Sequence, residues 1–357
     1  MVTSESQPRV PAPGRILVIR LDRLGDVILS TPVLRDLRDA YPHAFIAVMV
    51  RPPCRDAVFG NPCVNEVILY DKEGKHHSLP RTFRFARRLA RFDFDTALIL
   101  HPSNRSHWMP WLARIPVRIG YDRKSGWLLT HRLPHTKQEG ARHEAAYALE
   151  MLRVFGLTPG NPRPFIPVPP QAEARVADLL AAASVPADAA LVAIHPSASC
   201  VSKRWMPERF AAVADRLTRE RGVRICVVAG SGDARYATQT MQAMHEPALN
   251  FTGQLSVAEL AALLRRCRLL ISNDSGPVHV AAGVGTPVVD LFGRNQRGLS
   301  PLRWSPLGDG HVVLHKEVGC VTCLAHDCDI EFLCLTSITT DEVYEAAVSV
   351  LQRKGAH

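Results

Sequence analysis

Residues 269–293, LLISNDSGPVHVAAGVGTPVVDLFG, admit few folds. Leu269, Leu270 and Ile271 form a short apolar run that reads as a buried strand, and Asn273-Asp274-Ser275-Gly276 breaks it. Pro277 suits the first position of a helix, where its missing N–H costs nothing. Residues 278–284 are small and apolar, and Thr286-Pro287 leads into a second buried strand at 288–292. Strand, turn, helix and strand make a βαβ half-unit. Its turn supplies small residues, hydroxyls and N–H groups at a positive helix end, which is what an anion site needs. The same Asp-Ser-Gly also serves as an ordinary cap and turn, and spacing alone leaves both readings open.

At 357 residues the chain exceeds one ordinary hydrophobic core, so two domains are expected. A composition of 46% hydrophobic and 22% charged residues is ordinary for a soluble globular protein. No apolar run approaches the roughly 18 residues that a membrane-spanning helix needs. Residues 1–14 hold no apolar core for a secretion signal and read as a disordered tail, which makes the cytoplasm the expected location. The net charge of +9 suits anionic partners, or else reflects a solvated surface biased toward arginine. It is densest at 72–91, where Lys72, Lys75, Arg81, Arg84, Arg87, Arg88 and Arg91 interleave with Phe83, Phe85 and Leu89. Such a basic amphipathic stretch could rest on a membrane surface. No helix-turn-helix, RNA-binding or zinc-finger spacing points to nucleic acid. Cys320, Cys323, Cys328 and Cys334 cluster with spacings open to zinc or to a structural thiol or disulfide cluster, although the second pair is loosely spaced for a zinc ribbon.

Strand and helix patterns alternate along the chain. RILVIR at 15–20 is a continuous apolar run with basic ends, fit for a central parallel strand. A helical pattern at 27–41 contains Pro32, which either kinks the helix or makes Thr31 its cap and leaves Asp26 in the loop. Further strands are read at 45–50, 67–70 and 97–100, with helices near 79–91, 106–114 and 142–155. Six prolines within 156–170 bar a helix and mark a semi-rigid linker. Strands at 191–195, 224–229, 269–271, 288–292 and 311–315 then alternate with helices at 171–183, 207–221, 233–245, 257–267 and 341–353. The fold class is therefore α/β, with two Rossmann-like, doubly wound domains at 15–160 and 175–338, a Pro-rich linker at 161–174, and a closing helix at 339–357 free to pack back on the first domain. Such open sheets are expected to bind ligands at the C-terminal ends of their strands, in a cleft between the domains.

Four turns follow strands and carry the chemistry. The first holds Asp26, with Gly25 before it permitting close approach; an aspartate there serves as a general base or merely steadies a helix N-terminus. The second runs from His195-Pro196-Ser197-Ala198-Ser199 to Lys203, a point charge suited to a phosphate or an exposed loop lysine. The third, Gly230-Ser231-Gly232-Asp233, lacks the final glycine of a dinucleotide fingerprint because Arg235 stands there, and reads as a turn for a ribose. The fourth is the Asp274 turn. Asp93-Phe94-Asp95 mimics a metal-binding aspartate pair, but it precedes a strand, on the wrong side of a sheet for a ligand, and reads as a solvated turn.

Segments 18–34 (VIRLDRLGDVILSTPVL), 195–210 (HPSASCVSKRWMPERF) and 271–293, with the C-terminal cysteine pattern, together resemble glycosyltransferase family 9, the bacterial heptosyltransferases of lipopolysaccharide core assembly. Segments 114–133 and 143–157 also look like the family, so the resemblance runs in order from about residue 15 to the end. It implies a GT-B fold, with the acceptor on the N-terminal domain and the nucleotide-sugar on the C-terminal one. It implies inverting transfer of heptose from ADP-heptose to a lipid A–core acceptor, Kdo or heptose, with no cofactor and no essential metal. Asp26 matches the family's general base and Lys203 its phosphate-binding lysine. Ser275, Gly276 and His279, beside Asp274, fall near the donor, as do Ser199 and Asp233. Gly25, Arg105 and Arg123 lie where acceptor contacts are expected. Ser197 stands where the family usually has glycine, so that turn is expected to be tighter, and 302–308 lacks the family's usual loop.

The partners implied are ADP-heptose, the lipid A–core acceptor and the anionic inner face of the cytoplasmic membrane, with a monomer the expected state. The rivals are the same fold acting on another donor or acceptor, and a non-catalytic nucleotide sensor or membrane scaffold. A dinucleotide-dependent oxidoreductase fails on the missing fingerprint glycine.

Overall fold

The structure, a computed structural model, describes residues 10–320, 322–323 and 326–354. Most of the expected disordered tail, residues 1–9, lies outside the described residues, but Val10 is already buried. The chain divides into two compact units, Met1–Gln138 with Glu144–Arg163, and Glu139–His143 with Pro164–His357. The division falls inside the proline-rich segment that cannot itself form a helix.

The first unit contains β1 (Arg15–Ile19), α1 (Leu24–Ile28), α2 (Thr31–Ala40), β2 (Phe45–Val50), β3 (Glu66–Leu69), α3 (Leu79–Leu89), β4 (Thr96–Ile99), α4 (Asn104–Leu112), β5 (Val117–Tyr121), β6 (His131–Leu133) and α5 (Glu144–Glu150). Its strands form one parallel sheet ordered β3-β2-β1-β4-β5-β6. β1 takes the centre, as its unbroken apolar run requires, with Leu17 in register with Ala47 and Ala97. Pro32 neither kinks a longer helix nor makes Thr31 a cap. Ser30 is the N-cap of α2, Pro32 occupies its first turn, and Asp26 lies in the separate one-turn helix α1 rather than in a loop. Asp95 serves the N-terminal edge of the sheet, where its carboxylate accepts the backbone N–H groups of Gly14 and Arg15 at 2.7 and 2.8 Å.

The second unit contains α6 (Pro170–Ala182), β7 (Leu191–His195), α7 (Pro207–Arg221), β8 (Arg224–Val227), α8 (Ala234–Ala243), β9 (Ala248–Asn250), α9 (Val257–Arg266), β10 (Cys267–Asn273), α10 (Gly276–Gly283), β11 (Val288–Phe292), α11 (Pro301–Trp304), β12 (Val312–His315), α12 (Leu333–Thr336) and α13 (Thr340–Lys354). Its parallel sheet is ordered β12-β11-β10-β7-β8-β9. The closing helix, offered above the option of returning to the first domain, is built into this unit's core. Val343, Tyr344, Ala347 and Val350 of α13 pack among Val192, Ile194, Leu269 and Ile271, because the apolar face of α13 fits that face of the sheet.

Trp205 anchors the segment after β7. Its indole is fully buried, stands edge-on to Phe210 at 5.1 Å and donates from Nε1 to the Ile338 carbonyl at 3.0 Å, while its backbone N–H donates to Asn273 Oδ1 at 2.9 Å. It thus ties the short turn that carries Lys203 to the end of β10. Trp205→Ala is expected to cost about 3–5 kcal/mol through lost burial and a residual cavity. Urea unfolding checks this, and a midpoint within error of the wild type would contradict it.

Candidate active site

In the first unit a buried cluster of charges forms at the C-terminal ends of β1 and β4. Arg20, 2% exposed, follows β1 and directs Nη2 at Asp26 Oδ1 (2.8 Å), Glu144 Oε1 (3.0 Å) and Asp22 Oδ2 (3.2 Å). Its Nη1 donates to the Leu100 carbonyl at 3.1 Å. Lys137 Nζ donates to the same Glu144 oxygen at 2.6 Å, and His101 Nδ1 stands 2.9 Å from Asp22 Oδ2. Burial opposes the charge of Arg20, but Asp22, Glu144 and Asp26 outweigh it and raise its pKa. Burial likewise raises the pKa of Asp26, helped by Asp22 and Glu144 and resisted by Arg20. Asp22 moves the other way, because Arg20 and His101 together overcome its burial. Asp26, 16% exposed on its side chain, is therefore a carboxylate of heightened basicity that solvent can still reach.

In the second unit the turns after β7 and β10 meet. Lys203 Nζ lies 2.5 Å from Asp274 Oδ2, and Asp274 directly precedes Ser275, the N-cap of α10. Pro277 sits in the first turn of α10, so the helix presents N–H groups beside a buried ammonium–carboxylate pair. Beneath them His195, fully within the fold, pairs through Nδ1 with Ser272 Oγ (3.2 Å) and Ser275 Oγ (3.1 Å), and through Nε2 with Ser197 Oγ (2.9 Å). The serine at the family's glycine position thus completes the hydrogen bonding of a buried imidazole. Burial lowers the His195 pKa to about 4. His279, on α10, is brought down to about 3 by burial, then by His143, Lys203 and His311.

Lys203, Asp274, Ser275, Gly276 and His279 therefore gather in one place. Ser199 is exposed on the loop leading to Lys203, and Asp233 is the N-cap of α8, on the turn after β8. Gly25 is buried within α1, and Arg123 is exposed on the turn after β5. Arg105 differs from expectation. Its guanidinium donates to the carbonyls of Lys72 (3.1 Å), His76 (3.4 Å) and His77 (2.6 Å), so it braces the 72–77 loop. Cys334 is half-buried, and burial together with Cys323, Cys328 and Cys320 pushes its thiol up to about 11. Among the described residues no three His, Cys, Asp or Glu side chains are grouped to hold a metal ion. Sequence reasoning missed Arg20, Lys137 and Glu144, whose signal was a basic residue closing the apolar run of β1.

A family model described as glycosyltransferase family 9 (heptosyltransferase) matches residues 82–333. The chain belongs to glycosyltransferase family 9. It is 27% identical over 309 residues to the lipooligosaccharide heptosyltransferase 2 of Haemophilus ducreyi, covering 80% of this chain and 85% of that one. It is similar to the crystal structure of a family 9 glycosyltransferase from Veillonella parvula, with TM-score 0.85, 27% identity and 98% and 100% of the two chains covered. It also shares the fold of the E. coli ADP-heptose lipopolysaccharide heptosyltransferase II, with TM-score 0.78, 23% identity and 96% and 100% covered. The protein is thus a glycosyltransferase with the two Rossmann-like α/β domains of the GT-B class.

His195 and His279 make the fold of this transferase sensitive to acid. Each has a folded pKa below the ordinary histidine value of 6.5, so its contribution is complete above pH 6.5 and is lost as pH falls toward 4 and 3. For His195 alone the difference corresponds to roughly 3 kcal/mol at the acid limit. The melting temperature is expected to begin falling near pH 6, before most carboxylates protonate. A melting temperature that stays flat down to pH 4.5 would contradict this.

Proposed function

We propose that the protein transfers heptose from ADP-heptose, with inversion, to a hydroxyl of a lipopolysaccharide inner-core acceptor, Kdo or heptose on lipid A. The observation that carries the reading is Lys203 held at 2.5 Å on Asp274, beside the N-terminus of α10, because a diphosphate is the ligand that such an ammonium and helix end would share. The naming of an ADP-heptose enzyme of the same fold supports ADP as the nucleotide. In this reading the acceptor oxygen attacks the anomeric carbon and Asp26 takes the hydroxyl proton. The bond from that carbon to the phosphate oxygen breaks, and ADP leaves with the electron pair, its charge met by Lys203 and the α10 N–H groups. Arg20 keeps Asp26 ionised while Asp22 and Glu144 raise its basicity. No step calls for a metal or a cofactor.

Calorimetric titration with ADP, ADP-heptose and UDP tests the donor. ADP-type binding weakened about tenfold or more in Lys203→Ala is expected, since a charge-assisted contact is lost. Better binding of UDP would move the protein to another donor. Asp26→Asn is expected to lower kcat by roughly 10²–10⁴ while leaving ADP binding intact, as loss of a general base does. The wild-type rate should rise with pH through a value above the ordinary aspartate range.

The acceptor is an amphiphile, and α3 supplies a surface for its membrane. Arg81, Arg84, Arg87 and Arg88 are exposed along it beside Leu79 and Phe83, and the Arg87 guanidinium lies 5.0 Å over the Phe83 ring. α3 packs against α4, which exposes Trp108 and Trp111, and α4 packs against the 126–128 turn, which exposes Trp127. Among the described residues no helix is long and apolar enough to cross a membrane. The occupant we propose is an anionic lipid surface, matched by the arginines in charge and by the tryptophans in depth. Sedimentation with phosphatidylglycerol vesicles is expected to show binding that high salt or Arg84→Glu/Arg88→Glu removes. Binding that neither reduces would reject this face.

A further inference from the structure

His101 stands at the C-terminal edge of the first sheet, beside the strand that leads into Arg20. It follows β4 and Leu100, whose N–H donates to the Ile19 carbonyl at 3.1 Å and whose carbonyl accepts from Arg20 Nη1 at 3.1 Å. Its own carbonyl accepts from Ser106 Oγ at 2.8 Å, and Ser106 is tied to Ser103 in the capping box that starts α4. The backbone is thus held on both sides of the residue. The side chain is held as well, since Nδ1 lies 2.9 Å from Asp22 Oδ2. That oxygen also lies 3.2 Å from Arg20 Nη2, the nitrogen that holds Asp26 Oδ1 at 2.8 Å.

An aspartate ionised against a guanidinium can only accept, so the proton between Asp22 and His101 belongs to Nδ1. Nε2, at the far side of the ring, meets no partner among the described residues, and the side chain is 44% exposed. As a surface ion pair alone the contact would add little to stability, because solvent screening and side-chain entropy offset most of the gain. What the pairing does achieve is orientation. A ring fixed at one nitrogen presents the other outward, at the sheet edge where Asp26 also opens. A sugar whose reacting hydroxyl sits on Asp26 brings further hydroxyls to that edge, and a hydroxyl can donate to an imidazole nitrogen or accept from it.

We propose that His101 is an acceptor-binding residue: Asp22 holds the ring by Nδ1, and Nε2 hydrogen-bonds a hydroxyl of the acceptor sugar other than the one that reacts. The inference rests on the acceptor reading above, in which Asp26 is the base. It adds a side chain that touches the sugar and an aspartate that positions that side chain. Three contacts join His101 Nδ1 to Asp26 Oδ1, through Asp22 and Arg20, so the two groups open within reach of one or two sugar units.

The test is calorimetric binding of O-deacylated lipid A bearing Kdo, with and without a first heptose, to the protein saturated with ADP. The variants are His101→Ala, His101→Asn and His101→Gln, with their melting temperatures and ADP affinities as controls. Asparagine carries its amide where Nδ1 stands and keeps the Asp22 contact; glutamine carries it where Nε2 stands and keeps the reach to the sugar. H101A and H101N are expected to weaken acceptor binding about five- to tenfold, as loss of a hydrogen bond does, and H101Q to stay within about twofold of the wild type. ADP affinity is expected to be unchanged in all three. Acceptor affinity kept in H101N, or lost in H101Q as fully as in H101A, overturns the inference and leaves the acceptor reading standing. Asp22→Ala is expected to weaken acceptor binding in the wild type and to add nothing in H101A; a further loss there overturns the positioning assigned to Asp22. In the wild type itself, saturating acceptor is expected to slow carbethoxylation of His101 by diethyl pyrocarbonate, read by peptide mass spectrometry. An unchanged rate overturns the inference whether or not the variants fold. A wild type that binds ADP and neither acceptor rejects the acceptor reading and this inference with it.

Discussion

The central strands of both sheets are buried, so a charge that enters either sheet must be answered from within or given up. Arg20 is the case in the first unit. It leaves β1 at 2% exposure, and three carboxylates and a backbone carbonyl answer it. Removing one partner from such a set is costly, since the others are left with uncompensated charge. The geometry of Asp26 follows from that constraint, because the guanidinium fixes one of its oxygens.

The second unit meets the same constraint with different means. Its cation, Lys203, is 19% exposed on the side chain and has one carboxylate partner, whereas Arg20 has three. Its buried imidazole, His195, is kept neutral and satisfied by serine hydroxyls. The first unit thus holds a partly exposed carboxylate against a buried cation, and the second a partly exposed cation against a buried carboxylate.

The architecture was legible because parallel strands buried on both faces read as unbroken apolar runs. RILVIR and LLISN announced β1 and β10, and VVDLF announced β11. β5 and β6 escaped because VRIGY and HRL mix charge with apolar residues; within β5 the Arg118 guanidinium donates to the Leu128 and Ile115 carbonyls. Asp26, Lys203 and the Asp274 turn were legible as motifs following strands. Glu144 and Lys137 were not, because their role depends on contacts across more than a hundred residues with Arg20 and its neighbours. Asp290 was in plain view as a charge inside an apolar strand, but spacing cannot say whether such a group is paired.

The distance in sequence between Arg20 and its partners has a consequence for how the chain is made. Glu144 lies 124 residues after Arg20. On the ribosome β1, β2 and β3 emerge together and can begin to pair, while Arg20 has only Asp22 and Asp26 of its three carboxylates until α5 arrives. β4, which borders β1 on its other side, also comes late, so the centre of the sheet closes only after most of the first unit has been synthesised. The N-terminal half-sheet then waits with one edge of β1 open, which is the state in which parallel sheets are most exposed to wrong partners. A buried charge that waits for a distant partner acts as a check on assembly, since premature closure would bury the guanidinium without Glu144.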